Sequence, residues 1–559
     1  MAMNNLTRGG QVFAHDVRML VQVLKTTLLL SSSLSILVFA LIANFSLFKL
    51  YVLMLSGWAE IKLAIGEVFY GNGAVIQLSL YSFKYQQWQL WSAERFLHLP
   101  IVQQLQSQVW DMLTSPKFYL QLLLLPALSS LVVLGLFYYK GRKVRQTTHS
   151  KGVELVSVKA LKRILRSKKL LSRLHLDGAP LVKDRETSHM LIAGTTGAGK
   201  SNCFNHLLPQ LRSHKAIIVD LTGEYVARYF DENRDILLNP TEGQTWDLWA
   251  DANDVFDYNA LAESFIGTAS HNHDAFWLES AKSCLAAAFE KLAPQRDIGE
   301  LLDQLTKTPL SEFSQFLSDT GAAAFADSKG ERTTVSIRAT IVSKIKSLET
   351  LRHKPPQFSI NEWISTSQPG WLFLYAPPAQ RELLCPMIAA QISTAIKALM
   401  QLPPDSDRRC WFILDELPAL NKLAALPMLL AEGRKYGACV VAGIQDFAQL
   451  DLRYGVKQAQ TILNQLNTKV IFRFTDPNGC QLAAKMLGEC EQIEAKENIS
   501  YGANTMRDGV NLVNNTNRGF TVMPTEIATL ANLECYLRLP EHFPITKHQM
   551  TFNNGDNYG

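Results

Sequence analysis

The sequence is poor in charge, and one part of the chain has no cysteine at all. Charged residues make up 19% of the 559 residues, against 47% apolar, and no segment is depleted enough in apolar residues to predict a long disordered tail. No cysteine precedes residue 200, none forms a CxxC pair, and none has a histidine at zinc-finger spacing. The pattern argues against a zinc site and predicts buried, reduced thiols in a cytosolic domain.

Positive charge is also concentrated in one stretch. The net charge is +5, but twelve Lys or Arg residues face a single acid, Glu154, between Lys140 and Arg173. The chain beyond this stretch is mildly acidic, which does not support a chain-wide basic surface for nucleic acid. Over residues 158–173 the bases recur at helical spacing. Contact with anionic lipid headgroups, contact with DNA, and a solvated linker helix near a membrane all fit this spacing.

Two long runs carry no charge, Thr26–Phe48 and Phe118–Tyr139. At 1.5 Å per residue, each is long enough to cross a hydrocarbon core of roughly 30 Å, and Pro126 should kink the second run. A buried core helix and a cleavable signal peptide are the weaker alternatives. Bases flank the two runs on their outer sides, which predicts cytoplasmic termini and an external segment, 49–117, that forms a small helical cap.

A phosphate-binding loop follows a short apolar strand predicted at His189–Ala193. The loop matches the pattern G-x-x-x-x-G-K-[ST] in full and reads Gly194-Thr195-Thr196-Gly197-Ala198-Gly199-Lys200-Ser201. Its glycines let backbone N–H groups wrap the phosphates, and the helix that follows directs its positive end at them. We expect Lys200 to reach the β- and γ-phosphates of ATP and Ser201 to bind Mg²⁺.

Two further apolar strands end in carboxylates. Ala216–Val219 runs into Asp220, and Trp411–Leu414 ends in Asp415 and Glu416. With the second strand next to the P-loop strand, Asp415 would support the Mg²⁺ shell and Glu416 would polarise the attacking water. Because the loop and both carboxylates are present, the sequence predicts a P-loop ATPase and disfavours a non-hydrolysing membrane scaffold.

Three polar residues are candidates for contact with the γ-phosphate. The strand Ala438–Ile444 ends in Gln445, which is either a phosphate sensor or a hydrogen-bonded residue at a strand end. If the motor is a ring, Arg434 is a candidate arginine finger toward a neighbouring subunit, and Arg473 is its competitor. A surface arginine without such a role is the alternative for both.

With these motifs in this order, the sequence resembles the type IV coupling proteins, the conjugative DNA-transfer ATPases of the TraD/TrwB type. Further motifs that carry the resemblance are Asp220-Leu-Thr-Gly-Glu224, Ile236-Leu-Leu-Asn-Pro240, Phe276-Trp277, Ser336-Ile-Arg338, Trp371-Leu-Phe, Glu432-Gly-Arg-Lys435, Gly443-Ile-Gln-Asp446, Ser500-Tyr-Gly-Ala and Arg507-Asp-Gly-Val510. The resemblance implies an α/β, RecA-like motor that forms a homohexamer with ATP between subunits. It would bring a relaxase-bound single DNA strand, the relaxosome substrate, to type IV secretion channel proteins at the bacterial inner membrane.

The resemblance also implies an all-α domain inserted into the motor. The predicted organisation is a cytoplasmic N-terminus (1–25), a transmembrane domain (26–139), a basic juxtamembrane linker (140–180), a RecA-like nucleotide-binding domain (181–245 and 362–559) and the all-α domain (246–361). Cys535–Leu539 is predicted to be the final strand.

One departure from the family and two rival functions remain. TraD-type relatives carry a long C-terminal extension that docks relaxosome proteins, whereas this sequence stops at Gly559. Recognition would then fall to the all-α domain or to a separate adaptor. The rivals are an FtsK-like duplex DNA translocase, for whose usual C-terminal winged helix there is no room after residue 540, and a coupling ATPase that handles protein effectors only. Stimulation of ATP hydrolysis by DNA would separate the second rival from a DNA-coupled ATPase.

Overall fold

The computed structural model describes residues 2–42, 46–71, 75–82, 86–144, 148–267, 272–326, 330–500 and 509–553. The chain divides into two compact units, Met1–Thr148 with Ile493–Thr516, and His149–Gln492 with Asn517–Gly559. The helices of the described residues are α1 (Ala2–Ile42), α2 (Leu47–Tyr70), α3 (Ala93–Leu97), α4 (Pro100–Thr114), α5 (Pro116–Val144), α6 (Val158–Ser167), α7 (Lys200–Leu207), α8 (Glu224–Tyr229), α9 (Val255–Ile266), α10 (Asn272–Leu292), α11 (Ile298–Thr306), α12 (Leu310–Leu317), α13 (Glu331–Lys344), α14 (Ile360–Ser365), α15 (Arg381–Gln401), α16 (Leu426–Glu432), α17 (Phe447–Tyr454), α18 (Val456–Gln465), α19 (Pro477–Leu487) and α20 (Pro524–Ala528).

The strands of the described residues are β1 (Gln77–Ser82), β2 (Gln87–Ser92), β3 (Thr148–Gly152), β4 (Leu155–Val156), β5 (Leu171–Leu176), β6 (Ala179–Val182), β7 (Met190–Ala193), β8 (Lys215–Asp220), β9 (Ile236–Leu238), β10 (Trp371–Tyr375), β11 (Cys410–Leu414), β12 (Ala438–Ile444), β13 (Thr468–Ile471), β14 (Glu489–Ser500), β15 (Gly509–Phe520), β16 (Glu534–Arg538) and β17 (Ile545–Gln549).

In the first unit, α1 and α5 pack against each other through small polar residues. The hydroxyl groups of Ser35 and Ser129 lie 3.0 Å apart, and Ser129 also donates to the carbonyl of Ser31 over 3.2 Å. Ser31 and Ser129 are buried, whereas apolar side chains such as Leu28 and Leu131 are about two-thirds exposed. Polar groups inside and apolar groups outside are the arrangement of helices that pack in lipid.

Three helices of the described residues are long and apolar enough to cross a membrane, by length and composition: Leu20–Val38, Pro116–Tyr139 and Pro378–Gln401. The third is two-thirds buried inside the protein and belongs to its core. The predicted first span, 26–48, is wrong as a single helix. Helix α1 ends at Ile42, and Ser46 accepts a hydrogen bond from Lys49 N–H as the N-cap of α2. A serine N-cap starts a new helix there, although no charge interrupts the apolar run.

The segment between α1 and α5 contains more than the predicted helical cap. The strands β1 and β2 form an antiparallel hairpin between α2 and α3. The small hydrophobic core of the segment contains Val52, Leu78, Phe96, Val102 and Leu105. The segment is therefore a small mixed α/β fold of its own.

The second unit is built on a ten-stranded sheet in the order β4-β17-β16-β13-β7-β12-β11-β8-β10-β9. The seven strands from β13 to β9 are parallel to one another, and β16 is antiparallel to β13. Alternate residues of each strand contribute to two hydrophobic cores, one on each face of the sheet. Strands that are buried on both faces are near-continuous apolar runs, which is why the sequence located β7, β8, β11 and β12 to within one residue at each end.

Two predictions about the ends of this unit are wrong. Cys535–Leu539 corresponds to β16 but is not the final strand, because β17 follows and pairs with it in antiparallel fashion. The predicted linker, 140–180, is folded from Leu155 onward. Strand β4 pairs with β17, the side chains of Leu161 and Leu165 on α6 are buried, and β5 pairs with β6. The bases of α6 thus lie on the outer face of a packed helix.

Between β9 and β10 the chain forms helices α9 to α14. Trp246 and Phe358, which precede and follow helices α9 to α13, form an isolated β-bridge. Asp251 holds the return of the chain, because its carboxylate accepts hydrogen bonds from the indole of Trp246 and the backbone N–H groups of Ile360 and Asn361. Two of the motifs that carry the resemblance, Ser500-Tyr-Gly-Ala and Arg507-Asp-Gly-Val510, lie partly outside the described residues, which do not include 501–508.

At the amino edge of the sheet, basic side chains cap the ends of helices. Lys215 on β8 donates to the carbonyls of Trp363, Ile364 and Thr366 at the end of α14. Lys469 on β13 donates to Leu463 and Leu466 at the end of α18. Arg538, directly opposite Lys469 on β16, donates to Met486 in the last turn of α19, the third contact of this type. Cations at helix C-termini satisfy carbonyls that have no partner within the helix.

Candidate nucleotide-binding site

The P-loop lies at the carboxyl edge of the sheet, between the end of β7 and the start of α7. It approaches the backbone after β13 very closely: a Cβ at Gly194 would lie 2.6 Å from the Cβ of Phe472, and one at Gly199 would lie 2.9 Å from its ring. The φ angle of Gly199 is +125°, a conformation that other residues rarely adopt. Thr195 donates from both its N–H and its hydroxyl to the carbonyl of Arg473. Glycine is therefore required at these two loop positions, and the loop is fixed to its neighbour.

Lys200 is folded back onto its own loop. Its side chain is 6% exposed, and its ammonium group donates to the carbonyls of Gly194 and Thr195 over 2.9 and 3.2 Å. Burial lowers the pKa of Lys200, while the negative charges of Glu416 and Asp415 oppose that shift. The ammonium group thus stands among carboxylates at the phosphate-binding loop, and Ser201 follows it in the first turn of α7.

Asp415 follows β11 directly and is half-buried. Its Oδ2 accepts a 2.9 Å hydrogen bond from the hydroxyl of Tyr225. Burial raises the pKa of Asp415 to about 6, although the bond from Tyr225 and the charge of Lys200 act in the opposite direction. Asp220, the other predicted carboxylate, is engaged within its own loop and accepts from Thr222, Gly223, Tyr225 and Val226.

Glu416 has the properties of a general base. Burial raises its pKa to about 7, which neighbouring Lys200 and a hydrogen bond with Gln445 partly offset. Its Oε2 is buried and has no hydrogen-bond partner among the described residues. Gln445 also accepts a 2.8 Å hydrogen bond from Thr196 of the P-loop. A carboxylate whose pKa lies near 7, with one free oxygen, can accept a proton at physiological pH.

The order of the strands corrects one expectation. Strand β11 is not next to the P-loop strand, because β12 lies between them. Adjacent strands are about 4.8 Å apart, so β11 and β7 are separated by about 10 Å. This spacing leaves room for phosphates between the loop and the carboxylates. It also explains how Gln445, at the end of the intervening strand, contacts both sides.

The two candidate arginine fingers lie in different places. Arg434 is exposed and lies just before β12, at the amino edge of the sheet. Its own P-loop lies at the opposite, carboxyl edge. Arg473 lies beside its own P-loop, and its guanidinium donates to the carbonyl of Leu530 over 3.3 Å. The structure therefore brings Arg473, but not Arg434, to the site within one chain.

Sequence reasoning missed two residues here. One is Tyr225, described above. The other is Arg381 at the start of α15, which donates to the carbonyl of Leu221 and places a positive charge that lowers the pKa of Glu416. Neither belongs to a local motif of phosphate-binding loops. Tyr225 directly follows Asp220-Leu-Thr-Gly-Glu224, and that position was the one available signal.

No group of three or more His, Cys, Asp or Glu side chains in the described part of the chain is arranged to hold a metal ion. Mg²⁺ in nucleotide sites is bound by one or two protein groups together with phosphate oxygens and water. The donor set of Ser201 and Asp415 fits that pattern. The eight cysteines all lie in the described part of the chain, are buried, and form no disulfide, as the sequence predicted.

Comparisons with known proteins agree with this geometry. The family model described as the type IV secretion-system coupling protein DNA-binding domain matches residues 173–551. Coupling protein TraD of Escherichia coli strain K12 is 32% identical over 394 residues, which cover 68% of this chain and 55% of TraD. The chain thus spans about half the length of that relative.

Solved structures of the conjugative coupling protein TrwB are also similar. The unbound TrwBdeltaN70 form and the complex of TrwB with ADP and Mg²⁺ each have a TM-score of 0.65 and 28% identity, and cover 73% of this chain and 95% of theirs. The complex with a non-hydrolysable ATP analogue has 29% identity at the same TM-score and coverage. These matches show a RecA-like P-loop α/β motor with an all-α domain.

Proposed function

Because this chain belongs to the type IV secretion-system coupling proteins, of the TraD/TrwB type that its motifs predicted, we propose that it is a membrane-anchored, ATP-hydrolysing coupling protein. It brings a relaxase-bound single DNA strand to a type IV secretion channel and helps to pump that strand during conjugation. The observation that supports hydrolysis most directly is Glu416, a carboxyl group with a pKa of about 7 and a buried oxygen that has no hydrogen-bond partner among the described residues. Gln445 links this carboxyl group to the P-loop.

ATP and Mg²⁺ are the proposed ligands, as in the TrwB complexes with nucleotide. The loop 194–201 holds the phosphates, and the close approach of Gly194 and Gly199 to Phe472 fixes the loop at the carboxyl edge of the sheet. Ser201 and Asp415 hold Mg²⁺, which neutralises charge on the phosphates when bound. Lys200 leaves its carbonyl partners for the β- and γ-phosphates.

Three further polar residues take part in hydrolysis. Glu416 accepts a proton from the attacking water at its free oxygen. Gln445 holds Glu416 and the P-loop residue Thr196 in register and contacts the γ-phosphate. In a homohexamer, Arg434 of one subunit completes the site of its neighbour, because it lies at the opposite edge from its own P-loop.

Membrane anchoring rests on α1 and α5. Their apolar faces are exposed and their serine contacts are internal. Both helices span the bacterial inner membrane, and the termini and motor lie in the cytoplasm. The all-α segment, 246–361 in the predicted organisation, is proposed to receive the substrate.

The test is the ATPase rate of the full chain in lipid nanodiscs or detergent, over a range of protein concentrations. Single-stranded DNA, duplex DNA and no DNA are compared. A rate that rises with single-stranded DNA and with protein concentration supports a ring motor for that strand. Preference for duplex DNA would favour an FtsK-like translocase, and indifference to DNA would favour coupling to protein effectors.

A further inference from the structure

The side chain of Tyr225 lies between the two halves of the nucleotide site. It is 1% exposed, and its ring packs against Phe204 of the P-loop helix with 6.2 Å between ring centroids. Its hydroxyl group donates to Asp415 Oδ2 over 2.9 Å. Tyr225 therefore contacts both the helix that carries Ser201 and the strand end that carries Asp415, although 190 positions separate it from Asp415.

The loop that carries Tyr225 is held by Asp220. One oxygen of this carboxylate accepts from Thr222 N–H, Thr222 hydroxyl and Gly223 N–H over 2.7 to 3.0 Å. The other accepts from the backbone N–H groups of Tyr225 and Val226, both over 2.9 Å. A carboxylate with this many donors fixes the backbone of α8 at its start. The phenol ring is thus attached to a rigid base rather than to a mobile loop.

A second contact ties the same turn to the P-loop helix. Glu224 Oε1 accepts a 3.1 Å hydrogen bond from Asn205 Nδ2 on α7. Arg381 donates to the carbonyl of Leu221 in the same loop. The position of the Tyr225 hydroxyl is therefore fixed relative to α7 as well as to β8.

We propose that Tyr225 is a positioning residue for the Mg²⁺ site: its hydroxyl group holds Asp415 so that the second carboxylate oxygen would stay available to Mg²⁺. Among the contacts of the described residues, the bond from Tyr225 is the one hydrogen bond to the Asp415 side chain, so Oδ1 stays open. Partners that orient a metal ligand in this way typically contribute 10- to 100-fold to metal affinity.

The inference rests on the proposed role of Asp415 in binding Mg²⁺, and the experiment separates the two. Full-length wild type and Tyr225→Phe are titrated with Mg²⁺ while a fluorescent ATP analogue binds, and the same binding is measured in EDTA. The expected result is that Tyr225→Phe needs roughly tenfold more Mg²⁺ for half-maximal binding, with binding in EDTA unchanged. Unchanged binding in EDTA shows that the P-loop is intact.

The matched control is Tyr229→Phe on the same helix. The hydroxyl of Tyr229 donates to Asn205 Oδ1 over 3.1 Å and does not contact Asp415 in the described contacts. We expect this variant to have the Mg²⁺ requirement of wild type. If Tyr225→Phe also matched wild type, Tyr225 would be only a buried hydroxyl group that found a nearby acceptor. If wild type itself needed no Mg²⁺, the proposed metal role of Asp415 would fail first.

Discussion

The two edges of the ten-stranded sheet use charged residues in opposite ways. At the amino edge, Lys215, Lys469 and Arg538 each donate to carbonyl groups at a helix end. At the carboxyl edge, Glu416 keeps a buried oxygen that has no partner among the described contacts, and burial raises the pKa of both Asp415 and Glu416. One edge satisfies its charges within the fold, whereas the other leaves hydrogen-bonding capacity unused.

This difference follows from the geometry of parallel sheets. In alternating β and α elements, each helix ends near the start of the next strand, so its last carbonyl groups point toward the amino edge. After each strand, the loop at the carboxyl edge leads into the next helix, and the free N–H groups at the start of that helix face the solvent at this edge. Cations are thus stabilised at one edge and anionic ligands at the other. Polar groups that the fold itself does not satisfy are where binding and catalysis are expected.

Arg434 is the exception that tests this comparison most severely. It lies at the amino edge but is exposed and caps no helix in the described contacts. If Arg434 is an arginine finger toward a neighbouring subunit, Arg434→Ala should lower the ATPase rate by about 10³- to 10⁵-fold. The adjacent Lys435→Ala, which is equally exposed, should leave the rate unchanged.

Mixing two inactive variants distinguishes a finger from a structural residue. Arg434→Ala keeps its P-loop, and Lys200→Ala keeps its arginine. In mixed rings some interfaces combine the intact halves, so part of the activity should return when the two are mixed. Absence of recovery in rings shown to contain both subunits would argue against a role in trans.

Glu416→Gln should show that the carboxyl edge serves activity rather than stability. The amide cannot accept the proton of the attacking water, so turnover should fall by about 10²- to 10⁴-fold while ATP still binds. Because an ionised buried carboxylate is removed, thermal stability at pH 8 should stay the same or rise. ATPase rates, nucleotide titration and thermal unfolding of the full chain provide the three readouts. Wild-type turnover in this variant would remove Glu416 from the base role.

The sequence predicted the strands of the site better than the strands at one side of the sheet. Each strand of the site is a buried apolar run, and the residue at its end is read directly, as for Asp415, Glu416 and Gln445. Strand β17 was missed because Ile545 is the one strongly apolar residue in Ile-Thr-Lys-His-Gln. Strand β4 has two residues, too few for any periodicity.

The contacts that complete the site depend on tertiary structure. Tyr225 reaches Asp415 across 190 positions, and Lys469 is buried because β16 and α18 surround it. Neither side chain sits in a pattern that a local reading of sequence can assign. Local spacing therefore predicts which strands carry chemistry, and packing decides which further side chains contact them.

Acid should lower the free energy of unfolding through His189, which lies at the amino edge of the sheet at the start of the P-loop strand. Its Nδ1 accepts from Val440 N–H and its Nε2 donates to the carbonyl of Leu430, so the buried ring is neutral. Burial lowers its pKa to about 4, against about 6.5 in an unfolded chain. Above pH 6.5, the buried neutral ring of His189 therefore does not lower the free energy of unfolding. As pH falls from 6.5 toward 4, the free energy of unfolding decreases by up to about 3 kcal/mol, because the unfolded chain binds the proton first.

Denaturant unfolding of the full chain between pH 7 and 4 measures this loss. Other groups titrate in the same range, and Glu416 acts with the opposite sign, because its raised pKa favours folding at low pH. The comparison is therefore made with His189→Asn, which retains one acceptor and one donor but does not titrate. The slope of stability against pH should be smaller in this variant, and equal slopes would contradict the assignment.

The smallest effect is expected from Lys469→Met at the amino edge. The substitution keeps much of the buried stem but leaves the carbonyls of Leu463 and Leu466 without their donor. Loss of a partner for buried polar groups costs about 1 to 3 kcal/mol, so the urea midpoint should fall while the ATPase rate per folded molecule is retained. Burial also lowers the pKa of Lys469 to about 8, so removing this charge recovers part of the loss. Lys485→Met, an exposed lysine on α19, is the matched control and should leave the midpoint unchanged. If Lys469→Met impaired turnover without lowering stability, the amino edge would take part in the motor cycle, and the division of roles between the two edges would be wrong.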